Sequence, residues 1–273
     1  MSLSLTERPR TKGTLPSAGV VNIDQILSFE GSYLRTPSIC HYDPWKKAAD
    51  STVFISADRN RPHGSGIIVN HHGRKYLITA THVLGPKALS KPTDLKVFER
   101  NENAIRVTNL EDKAMLYSTP LAAERNLPNA DVGVFSYDGP IEGVPLVESL
   151  ESSDYISAAI GYPGIHTNVW TRDLQPLVSP GRAFIEQQRK TELTSYMRKL
   201  MEEHGLLGTP EPVQKAVFTG ATARGNSGGG LFTLDGKLLG ICRGPQGTIG
   251  KETGLQEFYT LHEALKAIDP RTI

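Results

Sequence analysis

The chain has 273 residues, enough for one large domain or two small ones at about 150 residues each, and a chain of this size builds a core without needing disulfides. Lys plus Arg number 30 and Asp plus Glu 29, a net charge of +1, so neither nucleic acid nor an anionic membrane finds the basic excess it requires. Apolar residues at 38% and charged residues at 22% exclude a disordered or fibrous chain, and no run of about 18 apolar residues exists to cross a bilayer as a helix.

Residues 1–48 are read as an N-terminal extension. The first 17 are polar and rich in Pro and Gly, whereas Val20–Leu27 and Tyr33–Tyr42 are weakly patterned and suited to packing on a core. From 49 to 273 the texture is that of one domain of short apolar runs separated by turn residues, an all-β signature. The runs are Val53–Ser56, Gly66–Val69, Tyr76–Ala80, Leu95–Phe98, Ile105–Val107 and Met115–Tyr117. A second set follows at Val132–Phe135, Val144–Val147, Tyr155–Ile160, Val169–Thr171, Ala216–Thr219, Gly230–Leu234, Leu238–Cys242 and Glu257–Tyr259. The two sets divide near 119–130 or 136–143.

One stretch departs from this texture. Within Phe184–His204, Leu193, Tyr196, Met197, Leu200 and Met201 fall at i, i+3, i+4, i+7 and i+8, which predicts an inserted amphipathic helix over about 184–205, stopped by Gly205. Leu261–Ile268 predicts a short C-terminal helix. Cys40 and Cys242 do not demand a bridge, and the N-terminus lacks a signal-type apolar core, so a reduced cytoplasmic setting is expected.

Three motifs carry chemistry. Gly225-Asn226-Ser227-Gly228-Gly229-Gly230 sets a serine among glycines, which can expose its hydroxyl on a tight turn and converge backbone N–H groups on one point. Leu77–Leu84 is an apolar strand that ends at His82. Asn129–Phe135 opens another apolar strand with Asp131. Separately, each suits a turn or a strand cap. Together they run His, Asp, Ser, the order of the chymotrypsin arrangement and not of the subtilisin or α/β-hydrolase ones.

Thr79-Ala80-Thr81-His82, Asp131-Val132-Gly133-Val134 and Gly225-Asn226-Ser227-Gly228-Gly229 resemble the three motifs of trypsin/chymotrypsin-fold serine peptidases. Gly64–Val69, Ala159–Gly164 and Leu239-Gly240-Ile241 are most similar to the high-temperature-requirement (Deg-type) branch. The resemblance covers about residues 50–268. It implies two six-stranded antiparallel Greek-key β-barrels, the first over about 49–125 and the second over about 131–260. It further implies a catalytic triad of His82, Asp131 and Ser227, an oxyanion hole from the Gly225 and Ser227 N–H groups, and a serine endopeptidase acting on protein or peptide substrates without cofactor or metal. No PDZ domain is expected in the 46 residues after Ser227.

By the same resemblance, the substrate pocket is lined by Ala221, Thr222, Ala223 and Arg224 and by Cys242, Arg243 and Gly244. Ala221 stands where trypsin-like enzymes keep an acid, so a basic side chain would lack a counter-charge, and small or medium uncharged residues are expected before the cut. Asn226 replaces the aspartate that pairs with a freed N-terminus, so activation by trimming is not expected. The inserted helix 184–204 is the expected site of a regulatory partner. The alternative is a non-catalytic binding module on the same fold. A metal site on His63, His71 and His72 is disfavoured, because adjacent histidines on a strand point apart and no carboxylate stands at ligand spacing.

Overall fold

Between 52 and 79 the apolar runs leave almost no polar face, and strands of this kind must be covered on both sides. The computed structural model describes residues 23–35, 42–57, 64–84, 95–101, 104–118, 132–150, 152–163, 175–186, 215–245 and 256–260. In it β2 (Thr52–Ser56) is buried throughout, β3 (Gly64–His71) at its first six positions and β4 (Arg74–Thr79) at its last four. The β3–β4 turn is made by His72 and Gly73 at φ +50° and +76°, the two left-handed residues that a tight hairpin requires. Because His72 is a turn residue, the His71 and His72 rings do not point apart as expected but lie 4.0 Å apart between centroids.

These strands join β5 (Lys96–Asn101), β6 (Ala104–Asn109), β7 (Met115–Ser118) and β8 (Gly133–Ser136) in one antiparallel sheet of order β6-β5-β2-β3-β4-β8-β7. It has seven strands where six were expected. The seventh is β8, which pairs with β4 and β7, so the sheets divide in the later of the two stretches considered, 136–143. Its apolar run could not name its partner in advance.

The second sheet contains β9 (Asp154–Gly161), β10 (Leu177–Glu186), β11 (Lys215–Phe218), β12 (Gly230–Thr233), β13 (Leu238–Pro245) and β14 (Gln256–Thr260). Its order is β10-β11-β14-β13-β12-β9, and β9–β10 pairing closes these six strands into a barrel. Ala159, Ala183, Ala216, Phe218, Leu231, Leu239, Cys242 and Phe258 fill it. A seventh strand, β1 (Leu34–Arg35), comes from the extension and pairs with the start of β10. The double-barrel architecture is the one expected.

Val144–Val147 is no strand but two single parallel bridges, Val69–Val144 and Leu146–Leu238, which tie one sheet to the other. Strand β10 also overrides the first three residues of the expected insertion, 184–186. The remainder of that insertion, the run Val169–Thr171 and the helix Leu261–Ile268 lie outside the described residues.

Among the described residues, two helices stand ahead of β2: α1 (Ile23–Leu27), and α2 (Asp43–Asp50), which runs two residues past the expected end of the extension. Helix α2 begins with Pro44 in its first turn and buries Trp45, Ala48 and Ala49, an i, i+3, i+4 stripe. Trp45 Nε1 donates to Thr233 O at 3.0 Å, and the Thr52 hydroxyl donates to Ala48 O at 2.8 Å. One short helix thus fastens the second barrel to the first.

Candidate active site

Strand β4 ends in the 3₁₀ turn Thr81–Leu84, closed by a bond from Val83 N–H to Ala80 O (3.1 Å). Thr81, Val83 and Leu84 are buried, and His82 is the partly exposed member of the turn. The apolar neighbours anchor the turn and leave the imidazole at the surface.

The Ser227 turn is built differently. Gly225 and Gly228 take φ of +95° and +77°, a conformation that side chains with a Cβ disfavour. Asn226 N–H donates to Ala223 O (3.0 Å), Gly228 N–H to Cys242 O (2.9 Å), and Gly229 N–H to Asn226 O (2.7 Å). These bonds do not use the Gly225 and Ser227 N–H groups. Cys242 N–H donates to Gly229 O at 2.7 Å, so β13 straps the turn from both directions.

The two turns meet. A Cβ on Gly228 would stand 2.4 Å from Thr79 Oγ1 and 2.9 Å from Ala80 N, at the end of the strand that carries His82. A Cβ on Gly64 would stand 2.5 Å from Val83 and 2.8 Å from Ser227 O. Gly64 is therefore held between the residue after His82 and Ser227 itself. Asp131 lies outside the described residues. The chain resumes at buried Val132, and Gly133 pairs with Thr79 and packs against Leu84, beside the His82 turn.

Ser65, the second residue of the Gly64–Val69 motif, supports the whole turn. Its N–H donates to Ser227 O (2.7 Å) and its hydroxyl to Gly225 O (2.7 Å), and that hydroxyl also accepts from Tyr162 N–H (2.9 Å). A serine between glycines carries no sequence signal for such a role. The Asn226 side chain is buried beneath the turn, and no hydrogen-bond partner for its Oδ1 exists among the described residues.

Of the expected pocket residues, Ala221, Thr222 and Ala223 are partly exposed, Arg224 is exposed, and Cys242 is buried. Ala221 N–H donates to Ser179 Oγ at 2.8 Å, an anchor that sequence reasoning missed because Ser179 lies in an unrecognised strand. Arg243 is partly exposed, and a bulge between Cys242 and Gly244 breaks the β13–β14 register there. Among the described residues no three His, Cys, Asp or Glu side chains converge as a metal site would need.

The trypsin-like peptidase domain family matches residues 64–241. The chain belongs to that family. It is a serine endopeptidase, a hydrolase of peptide bonds. No curated protein sequence matches it. Among solved structures it is similar to the Rv3671c protease in an inactive form, at 18% identity and TM-score 0.52, covering 86% of this chain and 95% of that one. A serine-to-alanine form of the same protease from M. tuberculosis H37Rv gives 15%, 0.54, 93% and 95%. The HtrA-type protease AlgW with a tripeptide gives 18% and 0.53, covering 84% of this chain and 62% of that one. At these identities the likeness is one of fold.

Proposed function

We propose that this peptidase works through a His82–Asp131–Ser227 triad and an acyl-enzyme intermediate, cutting after small or medium uncharged residues. The observation that carries the reading is the meeting of the two turns, with Gly228 pressed on Thr79 and Ala80 and Gly64 held between Val83 and Ser227. A nucleophile and its base belong on separate rigid elements that converge on one point.

In this mechanism Ser227 Oγ attacks the scissile carbonyl carbon while His82 takes its proton. The C–N bond then breaks as His82 returns that proton to the leaving amine. Water, deprotonated by His82, opens the acyl ester and restores the serine. Asp131 holds the imidazole orientation and stabilises its protonated form. The Gly225 and Ser227 N–H groups hold the oxyanion, each such donor being worth roughly 10²–10³ in turnover. Ala221 and the Cys242 thiol bring no charge to the pocket, which disfavours Arg and Lys before the cut.

Labelling by a fluorophosphonate probe tests the assignment, together with hydrolysis of a peptide library. Labelling lost in Ser227→Ala and a preference for Ala, Val or Thr over Arg or Lys are expected. Labelling retained in Ser227→Ala overturns the nucleophile, and an Arg or Lys preference overturns the pocket.

A further inference from the structure

We propose that Tyr33, from the segment ahead of the first barrel, forms the floor of the pocket that receives the side chain before the scissile bond, and limits that side chain to small ones. The inference rests on the active-site reading above and adds to it the residue that sets pocket depth.

Strand β11 pairs with β10 only along Ala183–Glu186. After Phe218 the chain stays beside β10, with Thr219 N–H donating to Arg182 O (3.0 Å) and Ala221 N–H to Ser179 Oγ (2.8 Å), which leaves only the start of that β10 edge to another strand. β1 takes it, with Leu34 opposite Val178 and Arg35 opposite Leu177. One step further in the same antiparallel register sets Tyr33 across from Ser179, and residues directly opposite project to the same face.

That face is the interior of the second barrel. Ser179 pairs with Ala159, and Ala159 belongs to the barrel core with Leu231, Leu239 and Cys242. Leu34 and Val178 take the other face, packing with Ile26 and Ile160. Ser179 is also the residue whose hydroxyl holds Ala221, the start of the expected pocket wall.

Three further observations agree. Tyr33 is only 3% exposed although it precedes a strand of two residues. Burial first, and then the electrostatic influence of Cys242, push its phenol well above the ordinary range. One residue past Phe218, the Thr219 hydroxyl donates to the Glu30 carboxylate, which fastens the same segment beside the stretch leading to Ala221. A tyrosine ring across from Ser179, beside the hydroxyl that holds Ala221, would occupy the volume that a Leu or Phe side chain needs.

The test compares kcat/KM for peptides that differ only in Ala, Val, Leu or Phe before the cut, in the full chain and in Tyr33→Phe, Tyr33→Leu and Tyr33→Ala. Removing the ring is expected to raise the Leu-to-Ala and Phe-to-Ala ratios by about tenfold or more, the scale of a few methylenes in an apolar pocket. Tyr33→Phe retains the ring and is expected to retain the wild-type ratios. Should Tyr33→Ala fail to fold, Tyr33→Leu keeps an apolar stem but lacks the far half of the ring and its hydroxyl, and carries the same expectation. A folded Tyr33→Leu with unchanged ratios overturns the floor while the triad stands. A wild-type chain that cleaves no peptide and shows no Ser227-dependent labelling overturns the active-site reading, and this inference with it.

Discussion

The two turns that meet at the candidate active site are built on opposite principles. The His82 turn is local: main-chain bonding such as Val83 N–H to Ala80 O closes it, and Thr81, Val83 and Leu84 anchor it by burial next to the strand from which it grows. The Ser227 turn is held from afar as well, by bonds to Ser65 and Cys242 and by glycines packed against the first barrel. A base needs a fixed position. A nucleophile flanked by oxyanion donors needs its backbone fixed as well, and backbone in left-handed conformations persists only when its surroundings over-determine it.

The sharpest way to break this comparison is to remove the reacting groups themselves. Ser227→Ala or His82→Ala is expected to lower turnover by roughly 10⁶, with the melting temperature little changed. Substantial hydrolysis by either purified variant would refute the assignment. Next comes Gly228→Ala, whose Cβ would stand 2.2 Å from Ser65 O at a φ of +77°. Strain and overlap together are expected to destabilise the fold by about 2–4 kcal/mol and to abolish measurable cleavage. Normal thermal unfolding and full activity would show that the two turns do not press on each other as described.

Ser65→Ala sharpens the comparison because Ser65 touches the Ser227 turn and leaves the His82 turn's own bonds intact. It removes the donor to Gly225 O and deprives the buried Tyr162 N–H of its acceptor, for an expected loss of about 1–3 kcal/mol by chemical denaturation. Turnover should fall more than KM rises. An unchanged kcat would mean that Ser65 supports the fold but not the catalytic geometry.

The smallest effect is on alkaline stability. Burial raises the phenols of Tyr33, Tyr137 and Tyr162, and burial with Asp235 nearby pushes Tyr42 up to about 12. A raised pKa keeps these groups protonated in the fold, so their stability is complete below about pH 10, the unfolded value, and is lost as pH rises through the folded values. Unfolding free energy is therefore expected to be flat from pH 8 to about 9.5 and to decline above pH 10, with Tyr42→Phe reducing the slope. A slope unaffected by that change would remove Tyr42 from the account.

Legibility in the sequence follows the same division. The His82 turn is readable because an apolar strand ends there, and the Ser227 turn because its glycines are adjacent in sequence. What holds the Ser227 turn is not readable. Ser65 is a serine between glycines, and Ser179 lies in β10, where Pro180 and Gly181 break the strand signature although both pair with β9. Strand β8 is legible as a strand and not as a member of the first sheet, because an apolar run carries no address. Helices α1 and α2 span five and eight residues, too short to show a convincing period, and they exist through tertiary packing such as that of Trp45.

The pairing of Leu34 with Val178 orders the assembly of the molecule in time. A ribosome releases the segment 23–35 before either barrel, yet the strand it must join is made more than 140 residues later, after the first sheet is complete. The first barrel has all its strands by Ser136 and can fold while the second is still being synthesised. The second closes only when β14 arrives, so the earliest segment waits for the last barrel. A pocket floored by Tyr33 would then be completed at the end, and a nascent or partly folded chain would carry the reacting groups without the shape that selects a substrate.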